Sequence, residues 1–348
     1  MIKYYTRACN FYYGSLSKSL IKKGTPLPLC GNKAISFDKI ELFKRSKDKV
    51  SSQIIGIGDI KRFNKKLKKK INSDLKKITS RRKNFYSPSI MGILNMTPDS
   101  FSDGGKYNTN LKALKHISSM IKDGAYIVDI GGESTRPGAK DIKDKEEWNR
   151  IKKVVEFFKK KFPKTLLSVD TRKSLVMSKA MKFKTDIIND VSGYEHDQNS
   201  INIINKFNVW KVIHHMQGKP SNMQKKPKYK NVLLDIYDFF ENTIDKKIKN
   251  KKKIMLDPGI GFGKNLKHNL IILSNISLFH SLGFPILIGT SRKKFINQIS
   301  GSYDTKERIG GTLSSVLYLL TQGVQVFRVH NVKEIKQGIL VFKKILDQ

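Results

Sequence analysis

Acidic residues are scarce in this 348-residue chain: 29 Asp and Glu stand against 68 Lys and Arg, a formal charge of +39. That balance invites a nucleic-acid reading. The excess, however, is mostly lysine and runs through every segment, and Asn and Ile are abundant too, as in a chain-wide compositional bias. The densest cluster, 61–83 with KKLKKK at 65–70, reads as a solvated basic helix or linker rather than an RNA-attracting arm. The interleaved aromatics that would stack bases are missing there. Cysteine is nearly absent: only Cys9 and Cys30 occur. This excludes a disulfide framework or a cysteine zinc site and leaves a reducing cytoplasm as the default. No apolar run approaches the ~20 residues of a membrane span. Residues 1–9 lack the apolar centre of a secretory signal, and their lack of acids leaves an organellar transit peptide open.

Hydrophobic residues make up 39% and aromatics 9% of the chain, enough for a real core. The length suits one β/α barrel with an extension, or two small domains. The stretch around which the chain is organised is 90–105, IMGILNMTPDSFSDGG. It opens as a short apolar run of buried parallel-strand type and breaks at Asn95 into small and polar residues. One aromatic, Phe101, stands in that loop with nothing apolar beside it.

The same arrangement recurs. Apolar runs at 90–94, 125–130, 165–169, 187–189, 210–214, 253–256, 285–288 and 325–329 read as strands. Helical stretches follow them at 110–123, 145–161, 173–182, 200–207, 233–250, 269–280, 306–322 and 332–346. Such alternation predicts a parallel sheet. Eight repeats in about 260 residues predict a closed α/β structure, a (β/α)₈ TIM barrel over 87–348. Residues 1–86 form a basic N-terminal extension of unknown role, with strands expected at 35–42 and 53–60 and a helix at 60–78.

Each strand ends in residues that a plain connection does not need. They are Asn95; Asp129 with GGESTRPGA; Asp170; Asn189 and Asp190; His214 to Gln217; Asp257; Ser291 to Lys293; and Arg328 with His330. A lone Asp at a strand end often caps the next helix. Capping does not need Arg136, Lys293 and Arg328 at one mouth, where this fold gathers its strand ends. Asp170, Asn189 and Asp257 suit a flat heterocycle rich in N–H groups. Arg136, Lys293, Arg328 and His330 suit phosphate or diphosphate, and Thr135 adds a hydroxyl. Asn95 and nearby acids suit a Mg²⁺ ion on such a group, with water completing its shell. Nothing points to zinc, and His214 reads as facing outside or packed, because adjacent strand residues face opposite sides. The glycines of LDPGIGFGK resemble a phosphate-binding loop, but Pro258 and Asn265 break that pattern. They read instead as allowing close backbone approach to a ligand, with Phe262 lying on it.

The blocks GILNMTPDSFSDGG, DIGGESTRPGA, SVDTRK, IINDVSG, HMQGKPSNMQ, LDPGIGFGKN, TSRK and RVH occur in one order from about residue 88 to the end. In this the chain resembles the dihydropteroate synthases of the pterin-binding barrel family. The resemblance implies joining of a dihydropterin-CH₂-diphosphate to 4-aminobenzoate, with Mg²⁺ as cofactor. It implies Asn95 for Mg²⁺ and diphosphate, Thr135, Arg328 and His330 for diphosphate, and Arg136 on a loop near it. Asp170, Asn189, Asp257 and Lys293 would read the pterin edge, with Phe262 and Met216 on its faces. Phe101, Asp103 and Pro137 would close over 4-aminobenzoate. Asp103, Asp170, Lys293 and Arg136 are the expected catalytic set. The partners implied are these small molecules, without nucleic acid or membrane, and a second copy in a homodimer. Two departures stand out. Lys294 occupies a position where many relatives have Ser near the 4-aminobenzoate carboxylate, and Asn331 replaces a frequent Asp, with little effect expected. A methyltetrahydrofolate-dependent methyltransferase would keep the Asp/Asn edge but has no need of Thr135, Arg136, Lys293, Arg328 and His330 together.

Overall fold

The computed structural model describes residues 2–348 except 25, 48, 86, 98–105, 136–137 and 302, and the side chains of 106–109. The N-terminal segment is a small antiparallel sheet with two helices. It comprises β1 (Ile2–Tyr13), α1 (Gly14–Lys22), β2 (Leu27–Leu29), β3 (Asn32–Ser46), β4 (Lys49–Gly56), a 3₁₀ turn (Ile57–Arg62) and α2 (Lys65–Thr79). β3 is central, with β1 along one side and β4 and β2 sharing the other. The strand expected at 35–42 lies within β3. The one expected at 53–60 ends at Gly56, where the chain tightens into the 3₁₀ turn. α2 begins where the Asn64 side chain accepts from the Leu67 amide. Its Ile71, Leu75 and Ile78 are buried with Ala8, Phe37 and Ile40, while most of its lysines face outward. The basic segment is thus an amphipathic helix with one face in a core.

The barrel strands are β5 (Ser89–Asn95), β6 (Ile127–Gly131), β7 (Leu166–Asp170), β8 (Ile187–Asp190), β9 (Trp210–His214), β10 (Ile254–Asp257), β11 (Leu287–Ile288) and β12 (Val326–Val329). The helices between and after them are α3 (Lys106–Lys122), α4 (Asp144–Lys161), α5 (Ser174–Met181), α6 (Ser200–Lys206), α7 (Val232–Lys247), α8 (Leu266–Ser274), α9 (Lys294–Ser300), α10 (Ile309–Thr321) and α11 (Val332–Leu346). All eight strands pair in parallel, in the order β10-β9-β8-β7-β6-β5-β12-β11. A single bridge between Leu256 and Ile286, with the Leu256 amide donating to the Pro285 carbonyl, joins the two ends. The helix expected at 269–280 is divided: α8 ends at Ser274, Asn275 turns its amide back onto the Ile271 carbonyl, and a 3₁₀ segment (Ile276–Leu282) follows. α9 is an additional short helix.

Met91, Ile127, Ile187, Val212, Met255, Leu287 and Val326 point into the barrel and form its lower layer. Phe85, arriving from the N-terminal segment, closes that layer from below, its ring edge-on to Trp210 at 4.9 Å. The N-terminal sheet meets the barrel's flank through the Tyr5–Tyr237 ring pair at 5.1 Å and an Arg45–Asp235 ion pair at 2.7 Å. The Ser277 hydroxyl donates to the Ala8 carbonyl and Arg82 to that of His280.

Candidate active site

Above the apolar layer the interior turns polar, because the next inward positions of the strands are carboxylates, an amide and an arginine. Arg328 on β12 reaches across β5. Its Nε donates to Asp129 Oδ2 of β6 at 2.6 Å, and its Nη2 to Asp170 Oδ2 of β7 at 2.8 Å. Asp129, fully buried, also accepts from Ser168 Oγ at 2.5 Å and Asn189 Nδ2 at 3.1 Å. Asn189 Oδ1 is buried with no donor among the described residues. Burial pushes the Asp170 carboxyl up, against the pull of Arg328. On β10, burial pushes Asp257 up to about 6, although the Gly259 amide donates to its Oδ1 at 2.8 Å.

Lys293 faces this group from the loop after β11. Loss of hydration, with Arg328 adding repulsion, lowers its ammonium to about 8 against the pull of Asp257 and Asp170. Its Nζ lies 4.1 Å from the centre of the Phe262 ring, a cation–π contact. The aim of Lys293 is set by its neighbour. Arg292 adopts φ +60°, a left-handed conformation costly for a side-chain-bearing residue. Thr312 Oγ1 accepts its amide at 3.1 Å, Arg308 donates to its carbonyl at 3.0 Å, and Asn331 Oδ1 accepts its guanidinium at 2.8 Å. Asn331 therefore serves the turn that presents Lys293.

The loop bearing Phe262 is seated by a glycine. Gly259 has φ +69°, and a Cβ there would lie 2.0 Å from the His215 carbonyl oxygen. Phe262 stands edge-on to His214 at 4.7 Å. His214 is buried and packed, its imidazole held well below the ordinary value by burial and by Lys264 and Lys293. The buried Lys264 ammonium donates to the Phe262 carbonyl at 2.8 Å and meets His215 Nδ1 at 3.0 Å, tying this loop to the end of β9.

Asp170, Asn189, Asp257, Phe262, Lys293 and Arg328 thus share one mouth. His330 lies beside Lys293's turn, its amide donating to Ser291 Oγ at 3.2 Å and its Nδ1 3.0 Å from the same oxygen. Asn95 ends β5, Thr135 follows β6 and Met216 follows β9, all three partly exposed. Phe101, Asp103, Arg136 and Pro137 lie outside the described residues. The expected set omitted Asp129, which holds both Arg328 and Asn189, and Ser168, whose hydroxyl donates to Asp129. Strand parity carried the signal: Asp129 stands two residues from Ile127, which points inward.

Among the described residues no three His, Cys, Asp or Glu side chains converge as a metal cage. The amide oxygen at Asn95 fits a Mg²⁺ that would arrive with a diphosphate and keep most of its water.

Known proteins resemble this chain along the barrel. Residues 91–330 match the family described as "Pterin binding enzyme". The dihydropteroate synthase of Escherichia coli K12 is 40% identical over 262 residues, spanning 74% of this chain and 92% of that protein. A crystal structure of the Yersinia pestis dihydropteroate synthase with a sulfonamide drug complex superposes with TM-score 0.71 at 38% identity, covering 75% of this chain and 95% of that one. The Thermus thermophilus enzyme in complex with 4-aminobenzoate gives 0.65 at 31%, covering 74% and 95%. The chain belongs to the pterin-binding enzymes and, within them, to the dihydropteroate synthases.

Proposed function

We infer that the chain condenses (7,8-dihydropterin-6-yl)methyl diphosphate with 4-aminobenzoate, giving 7,8-dihydropteroate and diphosphate for folate synthesis. The observation that carries this is Arg328, fixed between Asp129 and Asp170 at one mouth with Asn189, Asp257 and Lys293. Asp170, Asp257 and the unpartnered Asn189 oxygen offer acceptors to the N–H edge of a pterin. Phe262 and Met216 cover its faces. Thr135, Arg136, Arg328 and His330 take the diphosphate. Mg²⁺ bound with that group, through Asn95, supplies charge neutralisation of the leaving oxygens.

The reaction is a substitution. The methylene–oxygen bond breaks and its electron pair leaves with diphosphate. The methylene carbon, left cationic, is stabilised by the carboxylates of Asp170 and Asp103. The arylamine nitrogen then bonds to it and releases one proton. An arylamine is a weak nucleophile, so positioning and water exclusion, with Phe101 and Pro137 over 4-aminobenzoate, matter more than a base. Lys293 helps as a charge that adapts to the pterin edge.

A homodimer is supported on the barrel's outer side. An apolar groove of about 740 Å³ between α8, α9 and α10 is lined by Leu270, Ile271, Phe295, Ile299 and Tyr318. The groove contributes one lysine, Lys267, on a chain of charge +39, so two copies would meet there with little repulsion. Cys9 and Cys30 are free and buried, in keeping with a reducing cytoplasm. Among the described residues no helix is long and apolar enough to cross a membrane.

The test is diphosphate release by the purified chain given dihydropterin-CH₂-diphosphate, Mg²⁺ and 4-aminobenzoate. Release that requires 4-aminobenzoate and falls at least about 100-fold in Lys293→Ala is expected. Release independent of the arylamine would overturn the assignment.

A further inference from the structure

A second buried charge cluster lies outside the ligand-reading residues. The cations Arg172 and Lys173 follow Asp170 by two and three positions. Arg172 Nε donates to Glu133 at 2.9 Å and its Nη2 to Asp141 at 2.7 Å. Lys173 Nζ donates to Glu133 at 2.9 Å and the Ile142 carbonyl at 2.7 Å, and pairs with Glu147 at 2.8 Å. The Ile142 amide closes the ring onto Glu133 at 3.0 Å. Glu133 lies at the outgoing end of the loop after β6, and Asp141 and Ile142 at its returning end. Thr135 lies between them.

We propose that Arg172 and Lys173 are positioning residues that clamp both ends of this loop and so hold Thr135 in register with Asp170. Except for Asp141, the side chains of the cluster are buried. Charges in such a place are costly to dehydrate and are offset by close pairing, which Glu133 supplies to both cations, while Glu147 contributes an ion pair to Lys173 without a hydrogen bond. Apolar side chains would fill the same volume at less cost, but would not fix two strands of chain at hydrogen-bond distance. The clamp continues directly into the site: Thr171 donates its amide to the Asn189 carbonyl at 3.0 Å, and Asp170 binds Arg328. Farther along the loop, the Gly138 amide donates to the Pro220 carbonyl at 3.2 Å, beyond Met216. The loop that carries the diphosphate hydroxyl is thereby referenced to the strands that read the heterocycle.

The inference rests on Thr135 serving the diphosphate, so the experiment separates the two claims. Steady-state KM and kcat for both substrates are measured in Asp141→Ala, Asp141→Glu and Thr135→Val, alongside thermal melts. The Asp141 side chain is 61% exposed, so removing it leaves the packed core in place, and the melts register the cost of leaving the buried Arg172 with one partner fewer. Asp141→Ala is expected to raise KM for the diphosphate substrate on the order of tenfold with kcat little changed. Asp141→Glu is expected to restore it, and Thr135→Val to raise the same KM. A raised KM in Thr135→Val with none in Asp141→Ala overturns the clamp alone. An unchanged KM in Thr135→Val overturns the role of Thr135 and the clamp with it.

Discussion

Asp257 shows what burial costs a carboxylate at the barrel's mouth. Burial raises its folded value to about 6, above the ordinary carboxyl range. A group raised on folding contributes stability that is complete below the unfolded value and lost as pH climbs through the folded one. Near neutral pH the ionised Asp257 therefore lowers stability. Asp257→Asn keeps the acceptor for the Gly259 amide and removes that cost. It is expected to stabilise the chain by about 1–2 kcal/mol at pH 7 and by nothing at pH 4, while activity is lost. Denaturant titration at the two pH values checks this. In the unsubstituted chain, kcat/KM is expected to fall below about pH 6 as Asp257 takes up a proton and above about pH 8 as Lys293 loses one. A profile flat from pH 5 to 9 would remove both groups from pterin recognition. Asp170, Asn189 and Asp257 were legible because they terminate apolar runs, and Lys293 because it stands in the short polar loop that follows one. Asp129 was legible as a strand-end residue, but its holding role was not, because its partner Arg328 is 199 residues away.

At the scale of the element, the loop after β10 depends on one backbone conformation. Gly259→Ala would place a methyl against the His215 carbonyl at a φ of +69°. The expected outcome is a loss of about 2–4 kcal/mol and a raised KM for the pterin substrate, because Phe262 moves with its loop. Melting curves and kinetics of that variant decide it. The strands of the barrel were visible in sequence because buried parallel strands are continuous apolar runs. β1 was hidden for a local reason. Asn10, at φ +57°, drops out of the ladder between the Cys9–Lys39 and Phe11–Phe37 pairs, and the apolar and polar residues of the strand do not alternate strictly. β4 was partly hidden because six of its eight residues are exposed and carry little apolar pattern. α8 reads as longer than it is because apolar spacing continues through Asn275, whose side chain competes for the helical carbonyl.

At the scale of the whole molecule, the N-terminal sheet and the barrel meet through buried surface, with Phe85 as the link between them. Phe85→Ala is expected to cost about 3–5 kcal/mol, since the ring is 1% exposed and closes the barrel's lower layer. The polar mouth lies at the opposite end, so kcat is expected to hold at temperatures where the variant stays folded. A fall in kcat without a fall in melting temperature would contradict this view of Phe85. The strength of the barrel is uneven around its circumference. β11 is two residues long and meets β10 through a single bridge. Asp257 belongs to one side of that seam and Lys293 to the other. A pterin held by both, as proposed, would span the weakest join of the ring like a stitch, linking occupancy of the mouth to the integrity of the cylinder.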